Sequence, residues 1–171
     1  GFGELRKAAL VDGELPKSHA AQAAGCAPVI QALEQGVEHP EPVKPYTIAK
    51  SIAIGNPADG FQALRTIRGS GGSGAVATDP EILDAIGLLA RTEGIFTEPA
   101  GGTTLAVLIK LIRDGVIPKN ESVVLCITGN GYKTSELIAD TVNVPTQLGR
   151  TLKEFEAFIA SQQAAHQQVN A

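Results

Sequence analysis

Apolar residues recur at helical spacing in several stretches of the chain, and a glycine or proline bounds most of them. Residues 26–35 carry three aliphatic side chains on one helical face, and the stretch stops at Gly36. Because glycine commonly follows the last turn of a helix, this pattern predicts a helix over 26–35. The same spacing predicts a helix over 61–68, which the glycine-rich loop 69–74 then ends.

The clearest helix signal lies in the middle of the chain. Thr78 and Glu81 have the spacing of a capping box, with a proline at the start of the helix. The predicted helix ends at Gly94 and carries one apolar stripe, formed by Ile82, Leu83, Ile86 and Leu89. Residues 103–114 are apolar on nearly all sides, which predicts a second helix that is buried on most of its faces.

Short apolar runs lie between these helices. We predict strands at residues 75–77, 95–97 and 122–127, the last a continuous run typical of fully buried parallel strands. Helices that alternate with short strands predict an α/β fold, a parallel sheet flanked by helices. Such sheets bind ligands at the carboxyl ends of their strands. Three glycine-containing turns lie where strands are expected to end, at 55–60, 99–102 and 129–131.

Two further helices are predicted in the last part of the chain. One covers about residues 134–142, and a proline-containing connector follows it. The other is amphipathic, extends from residue 151 to about 166, and opens on a capping box formed by Thr151 and Glu154.

Composition excludes several classes of function. The net charge of −4 at pH 7 and the absence of a basic cluster argue against partners such as nucleic acid or an anionic membrane. No run of 18 apolar residues exists, so no segment is expected to span a membrane. The three histidines are scattered, so no metal site is predicted. Two cysteines cannot form a disulfide framework, which favours the reducing cytoplasm.

Three polar motifs adjoin turns, and each has a plain structural interpretation beside a functional one. Thr128 opens the sequence Thr-Gly-Asn-Gly, which forms either a tight turn or a ligand loop at a helix start. Glu98 stands where a carboxylate favours a helix N-terminus in any protein. Asn56 precedes a proline, as in an ordinary turn. From spacing alone, the chain is an α/β ligand-binding domain.

Other reactive side chains have simple explanations. Cys126 lies inside the apolar run and is expected in the core. The lysines at 50, 110 and 133 are each expected to be solvated rather than catalytic. No Gly-x-Ser-x-Gly motif is present, so a hydrolase is not predicted.

Four segments, taken in order, resemble the threonine synthase family of pyridoxal-phosphate enzymes. They are Lys50-Ser-Ile-Ala-Ile-Gly-Asn-Pro57, Glu93-Gly-Ile-Phe-Thr-Glu-Pro-Ala-Gly-Gly102, the glycine-ended helix that follows, and Val123-Val-Leu-Cys-Ile-Thr-Gly-Asn-Gly-Tyr-Lys-Thr134. The resemblance implies a partial fold-type-II, tryptophan-synthase-β-like structure. Residues 1–150 would be the C-terminal portion of the catalytic fold, mostly its large domain, and residues 151–171 a C-terminal helix and tail.

The resemblance also implies a reaction and a site. A full enzyme of this family, a carbon–oxygen lyase of threonine biosynthesis, converts O-phospho-L-homoserine and water to L-threonine and phosphate with pyridoxal phosphate. Thr128 matches the family residue whose hydroxyl hydrogen-bonds the ring nitrogen of the cofactor; a hydroxyl donates without giving up its proton, so the ring should stay largely neutral. Asn56 and Glu98 would be further cofactor-binding residues in the same cleft. A homodimer is compatible with this assignment.

The family's Schiff-base lysine, with its Ser-x-Lys-Asp surroundings, has no match in this sequence and is expected upstream. Methionine is also absent, so we expect a fragment that has no catalytic residue of its own, is inactive alone, and has the N-terminal half of the enzyme as its partner. Two alternatives are another fold-type-II lyase, similar to the threonine and serine dehydratases, and a non-catalytic binding domain without the lysine half. The Thr-Gly-Asn-Gly sequence favours the synthase, because the dehydratases usually carry a serine-led glycine stretch there.

Overall fold

A computed structural model describes residues 1–139 and 147–169, and contacts divide the chain into two compact units, Gly1–Ile138 and Ala139–Ala171. In the second unit a helix spans Leu152–Val169, and the predicted capping box of Thr151 and Glu154 is confirmed at its start. The domain boundary expected at residue 150 stays a prediction.

The first unit contains α1 (Phe2–Lys7), β1 (Ala20–Ala23), α2 (Pro28–Gln35), α3 (Gly60–Gly69), β2 (Gly74–Ala77), α4 (Asp79–Glu93) and α5 (Pro99–Arg113), with 3₁₀ helices at Lys50–Ile52 and Gly131–Leu137.

The sheet is small and parallel. Within the described residues β1 and β2 pair in parallel, from Ala20 opposite Gly74 to Ala23 opposite Ala77. Helices α2 and α5 pack against both strands. This arrangement confirms the predicted α/β class, a parallel sheet flanked by helices.

Helices α4 and α5 form the main core of the first unit. The capping box of α4 is confirmed: the Thr78 backbone N–H donates to Glu81 Oε2 at 2.8 Å, and Gly94 ends the helix at φ +67°. The two helices approach closely because position 102 has no side chain: a β-carbon there would lie 2.7 Å from Ile86 Cγ1 and 2.8 Å from the Ile82 carbonyl oxygen. Burying an aliphatic side chain of this core contributes roughly 1.5–3 kcal/mol.

Helix α5 differs from its prediction at both its start and its outer face. It begins at Pro99, four residues earlier than predicted, because proline suits the first helical position. The hydroxyl of Thr103 donates to the Pro99 carbonyl at 2.8 Å. Ile109 is 44% exposed, so α5 is buried on its inner face rather than on most faces.

Lys110 is not a solvated side chain, contrary to the prediction. Its Nζ donates to the Val76 carbonyl at 2.8 Å and to Glu81 Oε2 at 2.7 Å. The hydrogen bond from Lys110, followed by that from the Thr78 backbone, lowers the pKa of Glu81 from 4.5 to about 2. One side chain therefore ties α5 to β2 and to the first turn of α4.

Two predicted strands and the position of one cysteine were wrong. Residues 95–97 form only an isolated bridge at Thr97, and residues 122–128 are in neither a strand nor a helix. Val124 is 90% exposed and Cys126 is exposed rather than in the core. The physical reason is that no strand in the described part of the chain lies beside this run. The helix predicted at 134–142 is replaced by the 3₁₀ helix Gly131–Leu137, and residues 140–146 lie outside the described residues.

Candidate functional site

The glycine-containing loop 128–131 is fastened to residues 96–98. The Glu98 N–H donates to the Gly129 carbonyl at 3.2 Å, and the Gly131 N–H donates to the Phe96 carbonyl at 3.1 Å. The buried Thr97 hydroxyl also donates to the Gly129 carbonyl, at 3.0 Å. These three bonds bring together two of the motifs that the sequence singled out.

Both glycines of the loop are required by close approach. A β-carbon at position 129 would overlap the Glu98 side chain, 2.7 Å from its Cγ and closer to its carboxyl group. A β-carbon at position 131 would lie 2.6 Å from two carbons of the Phe96 ring. A larger residue at 129 would displace the Glu98 side chain, and one at 131 would displace either the Phe96 ring or the loop itself.

Glu98 is the charged member of this arrangement. The residue is 8% exposed and stands immediately before α5, but its side chain does not cap the helix. Within residues 1–139 and 147–169 the carboxylate accepts no hydrogen bond. Every side-chain oxygen that is fully buried in that part of the chain has a hydrogen-bond partner, so the Glu98 oxygens are not fully buried. The carboxylate oxygens therefore reach the surface, where they can accept a hydrogen bond from a ligand.

The structure places the other two predicted site residues differently. Thr128 is exposed next to Gly129, and its hydroxyl makes no hydrogen bond within the described residues, so it is free to bind a ligand. Asn56 is exposed in a separate turn, where the Val43 N–H donates to the Gly55 carbonyl at 2.9 Å. No described hydrogen bond joins that turn to 96–98 or 128–131. Glu98 and Thr128 are brought together, whereas the role of Asn56 stays a prediction.

Sequence reasoning missed three residues that shape this loop. Thr97 bonds the Gly129 carbonyl, and the Asn130 Oδ1 accepts from the Tyr132 N–H at 2.9 Å. Phe96 contacts Tyr132 edge to face, with 5.3 Å between ring centroids. The signal for Asn130 was available, because asparagine between glycines commonly bonds its own backbone two residues on.

A recess of about 300 Å³ lies beside the 3₁₀ helices and is lined in part by Tyr46, Lys50 and Glu136. The Asp79 carboxylate on its wall is already engaged by the Thr47 hydroxyl at 2.6 Å and by the Ile48 N–H at 3.2 Å. Asp79 therefore fastens residues 47 and 48 to the start of α4.

Two kinds of feature are absent from the part of the chain that the structure describes. No group of three or more His, Cys, Asp or Glu residues there could hold a metal ion. None of the helices described over 1–139 and 147–169 is long and apolar enough to cross a bilayer.

Comparisons with known proteins agree on one family. The family described as "Pyridoxal-phosphate dependent enzyme" matches residues 1–129. A threonine synthase of Methanocaldococcus jannaschii is 43% identical over 134 residues, which is 78% of this chain and 33% of that protein. A threonine synthase of Methanosarcina acetivorans is 41% identical over 147 residues, 85% of this chain and 36% of that protein. The chain thus spans about a third of the length of these relatives.

A likeness among solved structures concerns the fold alone. A fungal L-serine ammonia-lyase from Rhizomucor miehei matches with a TM-score of 0.57 at 17% identity, over 82% of this chain and 45% of that one.

Proposed function

The chain belongs to the pyridoxal-phosphate dependent enzyme family, and we propose that it is the C-terminal portion of a threonine synthase. The whole protein would convert O-phospho-L-homoserine and water to L-threonine and phosphate. The observation that carries this proposal is the identity of 41–43% to threonine synthases over 78–85% of the chain. The likeness to an ammonia-lyase does not favour a dehydratase, because a structural match at 17% identity is evidence for the fold alone.

The residues around Gly129 fit this cofactor in their chemistry. An exposed hydroxyl at Thr128 and an accessible carboxylate edge at Glu98 stand at a loop whose glycine adds no side chain. Pyridoxal phosphate, when bound, acts as an electron sink that stabilises a carbanion on the substrate.

The role proposed for Thr128 comes from the family resemblance, and the chemistry of its side chain supports it. A hydroxyl can donate a hydrogen bond to the ring nitrogen while keeping its proton, so the ring stays largely neutral. The three hydrogen bonds between 96–98 and Gly129 and Gly131 support this proposal, because they fasten the backbone that follows Thr128. Asn56 would border the same cleft from its own turn.

The proposal predicts a specific effect at Thr128. In the full-length protein Thr128→Ala should weaken cofactor binding about tenfold, the value of roughly one hydrogen bond, and lower turnover. Thr128→Ser keeps the hydroxyl and should stay near the parent protein. Thr92→Ala is the matched control, since Thr92 is an exposed threonine on α4. Cofactor absorbance titrations and threonine formation measure both effects; unchanged values in Thr128→Ala would contradict the assigned role.

The reaction itself is tested with the purified full-length protein. Borohydride reduction followed by intact-mass analysis should show one bound pyridoxyl group, and O-phosphohomoserine should yield threonine and phosphate in equal amounts. Formation of a 2-oxo acid and ammonia from threonine or serine would instead identify a dehydratase. A protein that binds no cofactor would be a binding domain.

We further propose that residues 122–128 pair with another part of the whole protein. This apolar run makes no backbone–backbone hydrogen bond within the described chain, and its side chains at 123 and 124 are 43% and 90% exposed. If the run is covered, Cys126 in the native full-length protein should react slowly with a thiol reagent and quickly after unfolding. Fast reaction in the native state would contradict the pairing.

Location and assembly complete the proposal. A cytoplasmic location is supported by two cysteines that are both free, one of them exposed. Homodimer formation rests on the family resemblance and is tested by sedimentation of the full-length protein.

A further inference from the structure

Glu98 is the only charged residue among the buried side chains of residues 1–139 and 147–169. The three other buried polar residues there are threonines, and each uses its hydroxyl in an internal hydrogen bond. Of these four residues, only Glu98 has a side chain that makes no hydrogen bond within that part of the chain. Most of the residue is removed from water while its carboxylate oxygens keep an open edge, so a donor that is not part of the described chain can reach them.

The start of α5 does not supply that donor. The N–H groups of Gly101 and Gly102 donate to the backbone carbonyl of Glu98, at 3.0 and 3.2 Å, and not to its carboxylate. The side chain instead lies over the α-carbon of Gly129, in the space that a side chain at 129 would need. The carboxylate thus stands next to the backbone of Thr128 with an open edge.

We propose that Glu98 contacts the bound ligand directly, accepting a hydrogen bond from an N–H or O–H donor of the molecule that binds against Thr128 and Gly129. This assignment rests on the proposed function and gives Glu98 a specific role in it. The donor belongs either to the cofactor or to the ammonium group of the amino-acid substrate. Both present the same chemistry to a carboxylate, and separate titrations distinguish them.

The test uses Glu98→Met and Glu98→Ala in the full-length protein. Methionine fills nearly the same space against Gly129 but removes the charge and the oxygen acceptors, whereas alanine also removes the groups that fill the space. Glu93→Met is the matched control, because Glu93 is an exposed glutamate at the end of α4. Cofactor affinity is measured by absorbance without substrate, and amino-acid affinity by titrating the cofactor-loaded protein with L-threonine. We expect Glu98→Met to weaken one of the two by roughly 10- to 100-fold, the usual range for a hydrogen bond to a charged group.

Each outcome bears on the assignment. A loss of cofactor affinity places the donor on the cofactor, and a loss confined to the threonine titration places it on the substrate. Wild-type affinities in Glu98→Met overturn the assignment, including the case in which only Glu98→Ala is impaired, because that result shows a packing role. If the parent protein binds the cofactor and forms threonine, such a result leaves the proposed function standing. A parent protein that binds no cofactor removes the premise and overturns both.

Discussion

Gly129→Ala tests whether the contact between Glu98 and the loop determines the shape of the site. The new β-carbon would lie 2.7 Å from Glu98 Cγ, whereas ordinary contact begins near 3.4 Å, so Cγ must withdraw by about 0.7 Å and the carboxyl group by more. Overpacking of this kind costs typically 1–3 kcal/mol. Because a glutamate side chain can change rotamer, we expect the lower end, about 1 kcal/mol in the free energy of unfolding.

A double-mutant cycle with Glu98→Ala isolates this contact. Truncating Glu98 opens the space that the new methyl group needs, so the double variant should be about as stable as Glu98→Ala alone. The expected coupling is about 1 kcal/mol, measured by urea unfolding of all four proteins. Gly69→Ala is the control, since a β-carbon there meets nothing within 4 Å and α3 is helical at that point. That change should be neutral or slightly stabilising.

Additivity of the two substitutions would contradict the steric explanation. If the two substitutions add within about 0.5 kcal/mol, the methyl group finds room without moving Glu98, and the close approach is not what requires glycine at 129. Cofactor affinity gives a second readout: Gly129→Ala should reduce it about as much as Glu98→Ala does, because both remove the carboxylate from its place.

Two further predictions concern the neighbouring contacts. Gly131→Ala should lower the melting temperature and weaken cofactor binding, since its β-carbon would meet the Phe96 ring; Phe96→Leu in the same protein should recover part of both, and no recovery would contradict the steric explanation. The pKa of Glu81 is lowered to about 2 by Lys110, so its contribution to stability is present above pH 4.5 and lost as the pH falls from 4.5 towards 2. Glu81→Gln should flatten that part of the curve of unfolding free energy against pH, and an unchanged slope would show that the pair does not couple to folding.

The helices could be predicted because their signals are local. The capping box of Thr78 and Glu81 and the left-handed glycines at 36 and 94 depend on residues a few positions apart, and all are confirmed. Strand β1 carried no such signal, because its sequence Ala-Ala-Gln-Ala has no β-branched residue. It is a strand because β2 lies beside it, 54 positions along the chain at Ala20 and Gly74, and a local pattern does not reveal such pairing.

The site residues likewise divide into those with a local signal and those that depend on distant parts of the chain. Glu98 and Thr128 were singled out by their positions at turns and by the family resemblance, but the reason for the glycines lay elsewhere in the chain. Glycine at 129 and 131 is required by Glu98 and Phe96, more than 30 positions away. Asn56 was singled out by the same resemblance. No described hydrogen bond joins its turn to the loop 128–131, so neither the local sequence nor the described contacts show what its side chain binds.

The exposed run at 122–128 shows how a local pattern can be sound while its predicted structure is wrong. A continuous stretch of valine, leucine and isoleucine is typical of a strand with neighbours on both edges and apolar layers on both faces. The described chain supplies no strand at either edge. Ile127 packs beside Gly101, but Val124 is 90% exposed and the run makes no described backbone–backbone hydrogen bond. Exposure of such an apolar stretch to water is unfavourable, and its unpaired backbone N–H and C=O groups favour pairing with another strand. The pairing proposed for this run, with another part of the whole protein, would cover it, and Cys126 in the native full-length protein should then be labelled slowly.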